Sequence, residues 1–165
     1  MNITIAGGTG FIGSHLLERL KHLHEIKVLT RSKKESENNI IFEQTDLFSL
    51  GSTKKGLANT DIAIYLVHSM VPATGFFQGN FQDTDLILID NFVKACKVNN
   101  VKKILYVGGI IPEGKISHHL KSRKEVEDVI LYSEIPSTIL RAGMVVGDGG
   151  SSFEILKNLN FTPIY

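Results

Sequence analysis

The sequence predicts an α/β fold, a doubly wound parallel sheet of about six strands with helices on both faces. Three observations carry this. Strand-like apolar runs alternate with amphipathic helical stretches along the chain. The strand-like runs are nearly continuous in apolar residues, as strands covered on both faces are. The first of them, with Ile3, Ile5 and Ala6, runs straight into Gly7-Gly8-Thr9-Gly10-Phe11-Ile12-Gly13 and then into a helical pattern.

The elements follow in order. Ile12, Leu16, Leu17 and Leu20 recur at helical spacing, and Ile26 to Thr30 and Asn39 to Phe42 read as strands two and three. The polar stretch from Ser32 to Asn38 between them reads as a loop. A short helix is expected from Leu50 to Leu57 and strand four from Asp61 to Val67. A long helix from Asn80 to Asn99 then leads to strand five, Lys103 to Val107, which ends in Gly108-Gly109. Ser117 to Ser133 reads as helix and Pro136 to Arg141 as strand six. Ser151-Ser152-Phe153-Glu154 has the form of a capping box that opens a last helix. With a glycine turn after strand one, the expected strand order is 3-2-1-4-5-6, with a ligand at the carboxyl edge.

That glycine turn has a chemical reading. A dinucleotide pyrophosphate needs a sharp turn at Gly7, no Cβ at Gly10 where the phosphates approach, and close helix-to-strand packing at Gly13. Amides around Gly10 and Ile12 at the helix start would face the anion. Glycine triplets also occur in ordinary loops, but here a strand precedes and a helix follows. The expected architecture is therefore a three-layer Rossmann fold, a single domain over 1–165.

Composition narrows the class of partner. The chain has 165 residues, 42% hydrophobic, enough for one substantial core. A formal net charge of +1, from 18 Lys+Arg and 17 Asp+Glu, argues against nucleic acid or an anionic membrane as the main partner. Cys96 is the single cysteine, so neither an internal disulfide nor a thiolate metal site is expected. His22 and His24 have no acidic or thiol cluster beside them, and no metal is expected. No run approaches the ~20 apolar residues of a membrane span, and no basic leader precedes the first strand, so the expected location is the cytoplasm.

Several blocks carry a resemblance. Gly7-x-x-Gly10-x-x-Gly13, Thr45-Asp46-Leu47 after strand three and Leu140-Arg141-Ala142-Gly143 after strand six resemble the extended and atypical short-chain dehydrogenase/reductase superfamily. Tyr65-Leu66-Val67-His68-Ser69-Met70, Gly108-Gly109-Ile110-Ile111-Pro112-Glu113-Gly114, His119-Leu120-Lys121-Ser122-Arg123 and Ser151-Ser152-Phe153-Glu154 are similar to its bacterial NmrA-like, NAD(P)-binding subgroup. Members are often described as nucleoside-diphosphate-sugar epimerases. The resemblance implies an oxidoreductase or epimerase-like enzyme with a dinucleotide cofactor and a small-molecule substrate, or a non-catalytic dinucleotide sensor. Members of the family continue past Tyr165 with a substrate-binding region, so the resemblance implies that these 165 residues lack it, either as a truncated product or as a minimal domain that keeps cofactor binding without a full substrate pocket.

Choice of dinucleotide turns on the end of strand two. An acidic residue about 20 positions past the glycine turn would bind an adenosine ribose and repel a 2′-phosphate. Thr30 and Arg31 stand there instead. Arg31 can pair with the phosphate and stack on adenine, with Ser32 and Lys33 beside it, so NADP(H) is expected over NAD(H). The alternative is a solvated basic loop of Arg31, Lys33 and Lys34. Asp46, with Leu47 beside it, would by the resemblance meet the adenine amino group; its alternative is a helix N-cap. Thr9, Phe11 and Ile12 complete the expected pyrophosphate cradle, and Leu66, Val67 and His68 are expected to reach the cofactor at the sheet edge.

The catalytic pattern departs from the family's. Members typically carry Tyr four residues before Lys on one helix, where the Lys lowers the phenol's pKa. None of the 4 tyrosines has Lys four residues on. Aligned through Ser122 and Glu127, His119 takes the tyrosine's place and Arg123 the lysine's, while Gly108-Gly109 replaces the expected serine. His119 can act as general acid or base, with Arg123 holding the cofactor ribose or a substrate phosphate. Alternatively, His118 and His119 simply open a helix, and His68 is a loop histidine. Finally, Phe81, Leu86, Leu88, Ile89, Phe92, Val93, Ala95 and Cys96 spread over roughly half the long helix's circumference. This fits either a homodimer interface or burial within one chain, with Cys96 as a packing residue.

Overall fold

The computed structural model describes residues 1–37, 39–68, 81–114, 116–147 and 149–150, apart from the side chains of Phe81 and Gln82. The strands are β1 (Ile3–Ala6), β2 (Ile26–Thr30), β3 (Ile40–Gln44), β4 (Ile62–Tyr65), β5 (Lys103–Gly109) and β6 (Ser137–Ala142). The helices are α1 (Phe11–Leu20), α2 (Leu50–Gly56), α3 (Phe81–Val98) and α4 (His118–Leu131). The strands form one sheet in the order β3-β2-β1-β4-β5-β6, every neighbouring pair parallel, as the sequence predicts. The Ser151 to Glu154 capping box, Ser69 and Met70 lie outside the described residues.

Parallel crossovers keep one hand, so reversing direction at β1 moves the helices to the opposite face. Leu17 of α1 packs with Ile3, Ile5, Ile26, Val28, Ile40, Ile64 and Leu66 on one face. The other face carries Ala6, Leu29, Ala63, Tyr65, Ile104 and Tyr106 under Ile89, Phe92, Val93 and Cys96 of α3 and Val126 and Ile130 of α4. Alternation along each strand distributes the two sets: Ile3 and Ile5 of β1 point to α1, and Ala6 points to α3.

Several boundaries differ from the sequence expectation for local reasons. β3 runs on to Gln44, which pairs with Thr30, because the chain stays extended past Phe42. β4 stops at Tyr65, although Leu66 N still donates to Ala6 O at 2.8 Å. Ser117 is the cap of α4, its hydroxyl accepting from Leu120 N. β6 starts at Ser137; Pro136 has no N–H to give, but its carbonyl accepts from Ile104 N at 2.9 Å.

Much of the apolar surface of α3 is used within the chain. Leu88, Ile89, Phe92, Val93, Ala95 and Cys96 are all buried there. Asn91 Nδ2 donates to the carbonyls of Leu47 and Phe48, and Asn99 Nδ2 to that of Lys54, tying α3 to α2 and the loop before it. Burial pushes the Cys96 thiol up to about 12, consistent with a packing residue. The Phe92 ring meets Tyr65 at 4.9 Å between centroids. Phe92→Ala should therefore cost about 3–5 kcal/mol in urea denaturation. A loss below about 1 kcal/mol would contradict this packing.

Candidate functional site at the carboxyl edge of the sheet

The junction of β1 and α1 is a tight backbone contact. Gly7 has φ +84°, and a Cβ there would lie 2.7 Å from the Leu66 carbonyl carbon. Gly10 N donates to Gly7 O at 3.1 Å, closing the turn. A Cβ on Gly13 would strike Gly7 O and come within 2.5 Å of Gly8 Cα, so only glycine lets α1 start this close to β1. Gly10 is different: a Cβ on it would meet nothing nearer than Gly7 O at 3.4 Å. Its missing side chain leaves open a cradle beside the start of α1, where Gly10 is the N-cap and offers no side-chain acceptor to the first-turn amides. Thr9 is exposed and Phe11 and Ile12 half-buried at the rim. Downstream of β6 the chain returns to this rim, with the Gly150 Cβ position 2.8 Å from Phe11 Cζ.

The opposite end of the crevice lies beyond β2 and β3. Arg31 and Ser32 are exposed there, and Gln44 Nε2 donates to Arg31 O while Thr30 Oγ1 donates to Ser32 O. Among the described residues no hydrogen bond or ion pair engages the Arg31 guanidinium. Lys34, by contrast, lies 5.7 Å from the Phe42 ring centroid. Asp46 is not the cap of α2. Ser49 is, its hydroxyl accepting from Ser52 N, while Asp46 Oδ1 accepts from Phe48 N in a local turn. Asp46 is exposed and Leu47 half-buried beside β2's end.

Three basic side chains converge beyond β4 and β5. His68 follows β4 and is partly buried; His119 and Arg123 occupy one face of α4, one turn apart. Arg123 Cδ lies 3.4 Å from the Cβ position of Gly109, and Leu120 Cδ2 lies 3.0 Å from it. At this point of β5, α4 side chains fill the room a larger residue would need. Burial and the adjacent Arg123 hold His68 down to about 4; Asp85 opposes this and His119 adds to it.

Asp85 and Tyr106 were missed by sequence reasoning. Asp85 on α3 is buried and accepts from Ser122 Oγ at 2.7 Å, while Tyr106 OH donates to Arg123 O at 3.3 Å. These two bonds fix the α4 turn that carries Arg123. Asp85 could have been noticed as a carboxylate on the same helical face as Leu88, Ile89 and Phe92. The Tyr65 hydroxyl is buried with no hydrogen-bond partner among the described residues, and burial, then Asp85, raises its pKa. Lower on α4, Glu127 takes a two-oxygen grip from Arg141 Nε at 3.2 and 3.1 Å, joining the helix to β6. No group of three or more His, Cys, Asp or Glu residues able to hold a metal occurs among the described residues, and none of their helices is long and apolar enough to cross a membrane.

Comparison with known proteins places this geometry in context. Residues 3–129 match the NAD dependent epimerase/dehydratase family. Auxiliary protein GraX of Staphylococcus aureus is 29% identical over 110 residues, covering 65% of this chain and 36% of that protein. The N-acetyl-alpha-D-glucosaminyl-diphospho-ditrans,octacis-undecaprenol 4-epimerase of Escherichia coli O157:H7 is 23% identical over 183 aligned positions, 96% of this chain and 54% of that protein. Among solved structures, the Citrobacter sp. triphenylmethane reductase complexed with NADP(H) superposes with a TM-score of 0.73 at 20% identity, covering 88% of this chain and 50% of that one. A nucleoside-diphosphate-sugar epimerase from Staphylococcus aureus gives 0.72 at 19%, with 86% and 50% covered. These structures share the fold, and the chain spans about half or less of the length of these relatives.

The His68 environment makes a pH prediction. An unfolded histidine titrates near 6.5, so between there and about 4 the unfolded chain binds the extra proton. Stability should fall as pH drops through that window and then level off, by up to about 3 kcal/mol from this group. His68→Gln should flatten that part of the denaturation profile. An unchanged slope would contradict the assigned environment.

Proposed function

The chain belongs to the NAD dependent epimerase/dehydratase family, and we propose that it binds NADP(H) in preference to NAD(H) along the carboxyl edge of the sheet and acts as an oxidoreductase or nucleoside-diphosphate-sugar epimerase-like enzyme on a small-molecule substrate. The observation that carries this reading is the open cradle at Gly10, bounded by a glycine turn with no room for side chains on its other sides. The family match and the glycine geometry point to the same ligand class.

Each part of the crevice has a role in this reading. Gly7, Thr9, Gly10, Phe11, Ile12 and Gly13 hold the pyrophosphate through backbone amides at the start of α1. Arg31 and Ser32 take the adenosine 2′-phosphate, the planar guanidinium supplying charge and a stacking surface. Asp46 and Leu47 border adenine, with the Asp46 carboxylate accepting from its amino group. Leu66, Val67 and His68 line the path to the nicotinamide. When bound, the nicotinamide ring supplies hydride transfer. His119 moves a proton to or from the substrate, and Arg123, one turn on, positions the reacting groups.

A specific observation favours a second reading, a non-catalytic NADP(H)-sensing regulatory protein. His119 and Arg123 stand where members carry Tyr and Lys, and a side chain at Gly109, where members carry Ser, would meet Leu120 and Arg123. The resemblance to NmrA-like sensors points the same way.

Calorimetric titration with NADPH and NADH tests the cofactor reading. NADPH should bind at least about tenfold more tightly, a difference of about 1.4 kcal/mol. Arg31→Ala should erase most of that difference while changing NADH affinity little; equal losses for both would contradict the assignment of Arg31. Turnover should then be sought against a panel of carbonyl compounds and nucleotide sugars. Saturable binding without turnover would favour the sensor.

A further inference from the structure

We propose that Arg123, His68 and His119 form a subsite for an oxyanion, the carboxylate or phosphate group of a small-molecule substrate, at the carboxyl ends of β4 and β5. As a substrate subsite it rests on the cofactor reading above, because its place in the crevice is the reacting end of that site.

The argument begins with charge pairing on α4. Lys121 pairs with Glu125 at 3.8 Å and Lys124 with Asp128 at 2.7 Å, and Arg141 of β6 is held by Glu127. Arg123, half-buried where both lysines are exposed, is engaged by no carboxylate and no hydrogen bond at its guanidinium among the described residues. The buried carboxylate of Asp85 accepts from Ser122 Oγ, one position before Arg123 on the same helix turn. Residues 69–80, which follow His68 in the chain, contain no charged side chain. A partly buried guanidinium costs free energy to desolvate unless a counter-charge meets it. Among the described residues both lysines of this helix are met by carboxylates and Arg123 is not, which makes it the cation of α4 suited to meet a ligand's charge.

The surrounding groups suit an anion and not a neutral carbonyl alone. Arg123 presents a planar fork matched to two oxygens of a carboxylate or phosphate. Its backbone carbonyl is met by the Tyr106 hydroxyl and the neighbouring Ser122 by Asp85, so the helix turn that carries the fork is held from two sides. His68 approaches from β4 and His119 from the preceding turn of α4, each offering a ring N–H. Groups facing His68 are Arg123 and His119 from α4 and Asp85 from α3. An anion bound at Arg123 cancels the repulsion that helps keep His68 neutral. Its pKa must then rise from about 4 on binding, and affinity must rise as pH falls.

The test uses the whole chain with isotope-labelled histidines, read by NMR, with malonate and inorganic phosphate as probes in the absence and presence of saturating NADPH. Malonate or phosphate should shift the His68 and His119 ring signals saturably and raise the His68 pKa. A response to malonate alone identifies a carboxylate, and to phosphate alone a phosphate ester. Arg123→Gln should weaken the effect tenfold or more, Arg123→Lys by less, and Lys121→Gln should leave it unchanged. Arg123→Lys keeps the charge and so serves if Arg123→Gln does not fold. Absence of saturable shifts in NADPH-loaded protein would overturn the subsite while leaving the cofactor reading intact. Equal weakening by Lys121→Gln would show general charge screening, and loss of NADPH affinity in parallel with anion affinity would assign Arg123 to the cofactor; both overturn the proposal. Arg123-dependent shifts in protein that binds no NADPH would keep the subsite and remove the cofactor reading.

Discussion

Everything at the carboxyl edge depends on three backbone segments meeting without side chains between them. The end of β1, the first turn of α1 and the chain leaving β4 touch through Gly7, Gly13 and Leu66, at separations where any Cβ would overlap a carbonyl or a Cα. This contact has two consequences. It sets α1 down on the face built by Ile3, Ile5 and Val28, and it places the helix start at the carboxyl end of β1. Gly10, whose Cβ direction meets nothing nearer than Gly7 O at 3.4 Å, is then the glycine of this turn left open.

The second half of the site is hung differently. α4 is positioned by side chains: Ser122 reaches across to Asp85 of α3, Tyr106 reaches up from β5 to Arg123 O, and Glu127 is gripped by Arg141 of β6. Buried polar bonds of this kind are costly to break singly, because the partner left behind stays desolvated. They give a short helix start, carrying His119 and Arg123, a defined place against β5. The two halves thus divide the labour: backbone packing shapes the junction of β1 and α1, and a polar network orients the start of α4.

How much of this was legible in the sequence follows from range. Strand order and the glycine turn could be read because apolar periodicity and glycine sterics are local signals, and the turn at Gly7 reads the same in sequence and structure. The cap of α2 could not be fixed, since Asp46 and Ser49 are both good N-cap residues three positions apart and only the chain's path selects Ser49. The breadth of α3's apolar surface was equally ambiguous. A sequence does not say that α2 and α4 flank the helix, so a buried core element and a dimer interface look alike. Asp85 and Ser122 are 37 positions apart, and nothing near either residue announces the other.

The central claim is that the amides at the start of α1 receive a diphosphate. Following backbone amide signals by NMR during NADPH addition tests this most directly. The account predicts that Gly10, Phe11, Ile12 and Gly13 shift together and saturate with one affinity, while amides at the amino edge of the sheet, such as Asn2 and Glu25, stay in place. Saturable binding that moves other residues and leaves these four unmoved would contradict it.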